Sequence, residues 1–308
     1  MSNKTYILCP GQGAQVVGMG KDFHDASPAA KDVFDRANQI IGFDLASLCF
    51  NGPEEKLNQT DIAQPAIYVT SIAAFEAAKA AGKIEPETIT AYAGLSLGEY
   101  TALHLGGAFD FETGLKLVAA RGRAMQDAAV ASPSGMVAIM GADEAAVTKL
   151  CEENANGEVL VPANFNAPGQ VVVSGSNAAC ERLTRAGEGA GYKAIPLKVA
   201  GAFHSPLMQP GADRMSRELA NASIQPVRKT VYSNVTAQAH GDVASIKKLL
   251  IDQIVKPVRW EQTMQSLVAQ GDARWIELAP GRVLTGLLKK ISRRLPVDSF
   301  ATAEALNG

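Results

Sequence analysis

The 308-residue chain has only four histidines and four cysteines, and neither type is clustered. Cys9, Cys49, Cys151 and Cys180 lie far apart with no C-x-x-C pair, which excludes a spaced-thiolate metal site and a dense disulfide framework. The thiols read as reduced. There is no excess of either charge: 29 Lys and Arg face 31 Asp and Glu, for a formal charge of -2. That balance excludes an overall basic nucleic-acid footprint and a polyacidic tail, so any charged partner must meet a local patch. Long apolar runs are also missing. The segment after Lys4 is too short for the core of a signal peptide, and no stretch reaches membrane-spanning length. These absences leave a soluble, cytoplasmic protein, long enough for one large α/β domain or two ordinary ones.

What is present alternates between strand-like and helix-like runs. Thr5 to Cys9 predicts a strand, and Asp22 to Ile41 a helix. Gln64-Pro65 predicts a loop before an alanine-rich helix from Ala66 to Ala81. A strand at Ile89 to Ala93 and helices at Glu99 to Leu105 and Phe111 to Ala129 follow. From Met136 the order becomes β-α-β-β-α-β: strands at Met136–Met140, Val159–Ala163, Gln170–Ser174 and Tyr192–Val199, with helices at Asp143–Glu153 and Asn177–Gly189. This is the split βαβ pattern of ferredoxin-like folds, placed as an insert of about 70 residues in a larger α/β body. The expected domains are 1–130 with 200–308 for the body and 131–199 for the insert. Beyond it come a helix from about Pro206 to Ala220, a strand at Val231 to Asn234 and helices around Ile246–Gln253 and Trp260–Gln270. A strand at Arg274–Leu278 and a helix from Gly281 complete the chain.

One stretch carries chemistry. Gly94-Leu95-Ser96-Leu97-Gly98 has the spacing of a nucleophile elbow between a strand and a helix, with glycines where a Cβ would crowd the turn. Ser96 is therefore a candidate nucleophile, and it needs a base. His24, at a helix start, and His240, beside Gly241-Asp242 in an expected turn, read as solvated or capping residues. His104 lies eight residues past Ser96 on one helix, about 12 Å along its axis at 1.5 Å per residue. That leaves His204, in the loop Gly201-Ala202-Phe203-His204-Ser205-Pro206, either as the base or as an ordinary loop histidine.

Stepping about 100° per residue from Leu115 places Arg121 on the face shared by Leu117, Val118 and Met125, with Arg123 opposite. Arg121 should point inward, where an unpaired charge is costly, so it faces either an internal carboxylate or a ligand's. Pro10-Gly11-Gln12-Gly13 lacks the third glycine of a dinucleotide loop, because Val16 stands there. It is either a tight turn or a loop bringing the Gln12 N–H to a reacting oxygen, with the Leu97 N–H as the other donor of an oxyanion hole.

Pro10-Gly11-Gln12-Gly13-Ala14-Gln15, Gly94-x-Ser96-Leu97-Gly98-Glu99, Arg121-Gly122-x-x-Met125-Gln126, Gly201-Ala202-Phe203-His204-Ser205 and Gly281-Arg282-Val283-Leu284 together resemble the malonyl-CoA:acyl carrier protein transacylases. The resemblance runs from about residue 5 to 292, with the five motifs in family order. It implies an α/β-hydrolase-like large subdomain with a parallel sheet, plus an inserted ferredoxin-like small subdomain. It further implies ping-pong transfer of malonate from coenzyme A to the phosphopantetheine thiol of acyl carrier protein, in fatty acid or polyketide synthesis. Ser96 would carry the malonyl group, His204 would be its base and Arg121 would hold the malonyl carboxylate. Gln12 and Leu97 would supply the oxyanion hole, and the Gln253 main-chain carbonyl would orient His204 in a dyad without an acid. No metal or other cofactor is implied, and the expected unit is a monomer that binds neither nucleic acid nor membrane. Arg282, Lys289 and Lys290, with Arg293 and Arg294 beyond them, are candidates for docking the acidic carrier protein, or simply a solvated basic helix end. One departure stands out: Leu95 replaces the family's usual histidine before the nucleophile, which opens the acyl-group selectivity. Phe203 beside His204 resembles members that take malonyl rather than methylmalonyl. The competing classes are a serine hydrolase that gives the acyl group to water and a non-catalytic scaffold that binds the carrier.

Overall fold

The computed structural model describes residues 4–306. Five strands form a wholly parallel sheet: β1 (Thr5–Cys9), β2 (Ile89–Gly94), β7 (Thr230–Val231), β8 (Arg274–Leu278) and β9 (Val297–Phe300), ordered β7-β2-β1-β8-β9. Helices cover both faces, which is why β1 is an unbroken buried run instead of an apolar-polar alternation. The two-residue strand period divides its side chains between two cores. Ile7 and Cys9 join the larger one with Tyr92, Ile276 and the helices around Thr60–Ala80 and Phe111–Ala131. Tyr6 and Leu8 face the other, with Trp260, Met264 and Leu288.

The expected β-α-β-β-α-β segment forms a second, antiparallel sheet from β3 (Ser134–Met140), β4 (Leu160–Ala167), β5 (Gln170–Ser176) and β6 (Lys193–Pro196), ordered β4-β5-β3-β6. Helices Glu144–Asn154 and Asn177–Gly189 pack on one face through Val147, Leu150 and Leu183. Met136, Ala138 and Val172 on the other face join the main core, so this sheet leans directly on the body.

The structure corrects several boundaries. The helix expected over Asp22–Ile41 is two, Lys21–Ala26 and Pro28–Ile41, because Ser27 caps the Ala30 N–H and Pro28 starts the second helix where its missing N–H costs nothing. Gln64-Pro65 is not a loop. Pro65 lies inside helix Thr60–Ala80, whose nearly complete burial outweighs one lost backbone bond. The strand expected over Val231–Asn234 ends at Val231, because the Ser233 and Asn234 amides leave the ladder for Gln238 and Glu99. β9 was not anticipated. Among the described residues, no helix is long and apolar enough to cross a membrane.

Candidate active site

The elbow is built where β1 and β2 end side by side. Ser96 has φ 51°, in the left-handed region that a non-glycine residue enters only under constraint. Three glycines make the constraint possible by letting backbone approach backbone. A Cβ on Gly94 would lie 1.9 Å from the Gly98 carbonyl, one on Gly98 2.1 Å from the Cys9 oxygen, and one on Gly11 2.2 Å from the Leu95 oxygen. Hydrogen bonds lock the turn. The Leu95 N–H donates to the Cys9 carbonyl at 3.1 Å, and the Ser96 N–H to Asn234 Oδ1 at 2.6 Å, while Asn234 Nδ2 donates to the Gly94 carbonyl at 2.7 Å. The hydroxyl is thereby held at the carboxyl end of the sheet, the usual site of ligands in such folds.

His204 arrives from the far side of a cleft of about 450 Å³. Its loop is pinned to the small sheet, with Ser174 Oγ donating to the Phe203 carbonyl and the Ala202 N–H to Ser134 Oγ. His204 is itself left-handed, with φ 57°. Its Nε2 lies 2.8 Å from Ser96 Oγ, and its Nδ1 is 2.6 Å from the Gln253 carbonyl, which accepts the Nδ1 proton and leaves Nε2 as the acceptor for serine. Burial, and then the charge of Arg121, push its pKa down to about 4 against the Gln253 contact, so the ring is neutral at pH 7 and ready to take a proton.

Arg121 is 1% exposed, on the inward face expected for it. NH1 donates to Gln64 Oε1 at 2.6 Å, and NH2 to Gln253 Oε1 at 2.9 Å and Ser96 Oγ at 3.0 Å. No carboxylate touches it among the described residues, and Nε has no partner. Burial lowers its pKa, partly offset by Tyr100 and Glu99 nearby. The internal ion pair is therefore not what occupies this guanidinium; two amide oxygens hold it at the serine with donor capacity to spare. Gln12 lines the same cleft and Leu97 follows Ser96 in the elbow, and among the described residues neither backbone amide donates to another protein group. The wall is mixed: Leu95, Met125, Val172 and Phe203 are apolar, and Gln15, Asn58, Asn164, Asn166 and Lys198 are polar.

A serine activated by a neutral histidine, beside a buried cation and two free amides, suits acyl transfer on an acid-bearing thioester. The model of the acyl transferase domain family matches residues 5–305. The chain is 40% identical over 306 residues to the malonyl CoA-acyl carrier protein transacylase of Bacillus subtilis, covering 99% of this chain and 95% of that protein. It belongs to the malonyl-CoA:acyl carrier protein transacylase family. The Escherichia coli K12 relative of the same name is 40% identical over 302 residues, 98% of this chain and 95% of that one. The Coxiella burnetii transacylase structure superposes with a TM-score of 0.95 at 36% identity, covering 99% and 96% of the two chains. A type II PKS acyl-carrier protein in complex with its malonyl-transacylase matches at TM-score 0.93 and 36% identity, over 99% and 98%.

Within this transacylase, the remaining residues fall as follows. His104 bonds the Phe109 carbonyl at 3.1 Å and His24 contacts Asp25, so neither approaches Ser96. His240 contradicts the solvated or capping role expected of it: its ring is fully buried, and Nε2 lies 2.7 Å from Glu99 Oε1. Its turn folds back under the elbow helix, which sequence proximity to Gly241-Asp242 could not reveal. Glu99, Asn234 and Gln64 were missed altogether. A carboxylate immediately after the elbow, in a helix whose first six residues are all buried, was the available signal, because such a group must be partnered. Arg282, Lys289 and Lys290 are all exposed: Arg282 sits at the start of helix Val283–Ile291, and the two lysines at its end. Gly281, just before Arg282, packs by Ala14, next to the loop that lines the cleft.

Proposed function

We propose that this enzyme is an acyltransferase moving malonyl groups from coenzyme A to acyl carrier protein through a malonyl-Ser96 ester. The observation that carries the reading is the buried Arg121, 3.0 Å from Ser96 Oγ with no protein carboxylate on it. His204 Nε2 takes the serine proton as Oγ attacks the thioester carbonyl. The Gln12 and Leu97 amides hold the oxyanion. Collapse expels coenzyme A, whose sulfur receives the proton from His204, and leaves the ester. The phosphopantetheine thiol then repeats the sequence in reverse: it gives its proton to His204, its sulfur bonds the malonyl carbonyl carbon, and Ser96 Oγ leaves taking that proton, so the carrier departs as the malonyl thioester. The carboxylate on Arg121 fixes the acyl group for attack by the thiol. The chemistry uses no metal or redox cofactor, because serine, histidine and two amides provide nucleophile, base and oxyanion donors. One chain supplies every group, so the working unit is read as a monomer. The exposed cations at Arg282, Lys289 and Lys290 suit an acidic carrier surface.

Incubation with malonyl-CoA and holo acyl carrier protein is expected to yield malonyl-carrier; free malonate with unloaded carrier would instead identify a hydrolase. The pH profile of kcat/KM offers a second check. Protonating His204 removes the base, so activity is expected to be flat near neutrality and to fall only as pH drops through about 4. Rapid pH-jump acylation assays, completed before acid unfolding, would measure it. A limb at the ordinary histidine value of 6.5 would contradict the desolvated ring.

A further inference from the structure

We propose that Glu99, braced by His240, is a positioning residue that sets malonyl selectivity by dictating which end of the Gln253 amide faces Arg121. This rests on the reading of Arg121 as the malonyl carboxylate's partner. Gln253 is fully buried and serves both active-site arms: its main-chain oxygen bonds His204 Nδ1, and its side-chain Oε1 accepts from Arg121 NH2 at 2.9 Å. An amide can turn over, and only its neighbours choose the orientation. Here Nε2 faces Glu99 Oε2 at 2.6 Å and the Ser96 carbonyl at 2.9 Å, both of which can only accept. Turned over, Gln253 would set its oxygen against a carboxylate and a carbonyl, and its NH2 against the Arg121 donors.

Glu99 is held in turn. The Asn234 N–H donates to Oε2 at 3.0 Å, and His240 Nε2 to Oε1 at 2.7 Å, with both His240 and Glu99 side chains fully buried. The arrangement keeps the site's internal carboxylate one residue away from Arg121. Gln253 passes on the charge complementarity without letting Glu99 occupy the guanidinium, which stays available to a substrate carboxylate.

The test is Glu99→Gln, nearly isosteric but able to present an NH2 to Gln253. Gln253 then loses the charged acceptor on its Nε2, and only the Ser96 carbonyl and the Arg121 donor, neutral-amide contacts on a group free to turn, still favour oxygen toward Arg121. In single-turnover acylation of Ser96, kcat/KM for malonyl-CoA is expected to fall about 30-fold, while that for acetyl-CoA, which has no carboxylate, changes by less than about threefold. A merely structural role would lower both together, and equal loss, or no loss, overturns the proposal. If Glu99→Gln does not fold, the His240 pair decides: His240→Gln keeps an N–H donor and is expected to retain the malonyl preference, whereas His240→Leu is expected to lose it. Equal preference in those two overturns the proposal as well. Wild-type acylation by malonyl-CoA in the same assay reports on the underlying function, so a failure there is distinguishable from a failure at Glu99.

Discussion

Ser96→Ala is expected to abolish the malonyl-enzyme and reduce transfer by on the order of 10⁴-fold or more. The size follows from the mechanism's dependence on one atom. Among the described residues, Ser96 Oγ is the one hydroxyl bonded to both His204 Nε2, at 2.8 Å, and Arg121 Nη2, at 3.0 Å. Removing it leaves the cleft, the free amides and the carboxylate clamp intact, but gives the acyl group nowhere to rest between donor and acceptor. Direct attack by the carrier thiol on bound malonyl-CoA would need both substrates in one cleft of about 450 Å³. Mass spectrometry of the protein after a brief exposure to malonyl-CoA checks the point: the wild type gains one malonyl group and the variant none. Stability should change little, since position 96 keeps its left-handed backbone in both forms. A variant that still loads the carrier at near wild-type rates would mean a scaffold or a different nucleophile.

Arg121→Ala is expected to lower kcat/KM for malonyl-CoA by about 100-fold, near 3 kcal/mol, the usual scale for removing one member of a buried charge-assisted pair. Acetyl transfer should persist or rise, because the acetyl group has no carboxylate to offer the guanidinium and the vacated volume admits it more easily. Arg121→Lys is expected to recover only part of the loss. A lysine brings the charge but not the planar fork, and it cannot bond Gln64, Gln253 and a substrate carboxylate in the same plane. Parallel kinetics with malonyl-CoA and acetyl-CoA make the check. Equal loss of both activities would assign Arg121 to holding the fold instead of the substrate.

Much of this site is legible along the chain because its constraints are local. A serine on a strand-to-helix turn demands small residues on either side, and Gly94 and Gly98 answer that demand within five positions. Arg121 betrays its inward direction through helical periodicity, and the β-α-β-β-α-β order follows from strand and helix periods alone. The parts that were not legible join distant segments. Asn234 reaches Ser96 and Gly94 across about 140 positions, and His240 meets Glu99 across 141. Nothing in the immediate surroundings of His240 distinguishes a turn at the surface from one folded under the elbow helix. Pro65 shows the same limit for secondary structure: its local preference is to break a helix, and burial of the helix around it prevails.

The sequence by itself singled out Ser96 as the candidate nucleophile and turned Arg121 inward, since each obeys a short-range rule of spacing or period, and it left His204 between base and ordinary loop residue until the family motifs were read together. It also determined the family, through five motifs in order, and the two-sheet architecture. Only the tertiary structure decided what Arg121 binds, where the cleft lies and how Gln253 ties both arms of the site to Glu99. Those are contacts between residues dozens to more than a hundred positions apart, and they exist only once the parallel sheet, its helices and the small sheet have packed against one another.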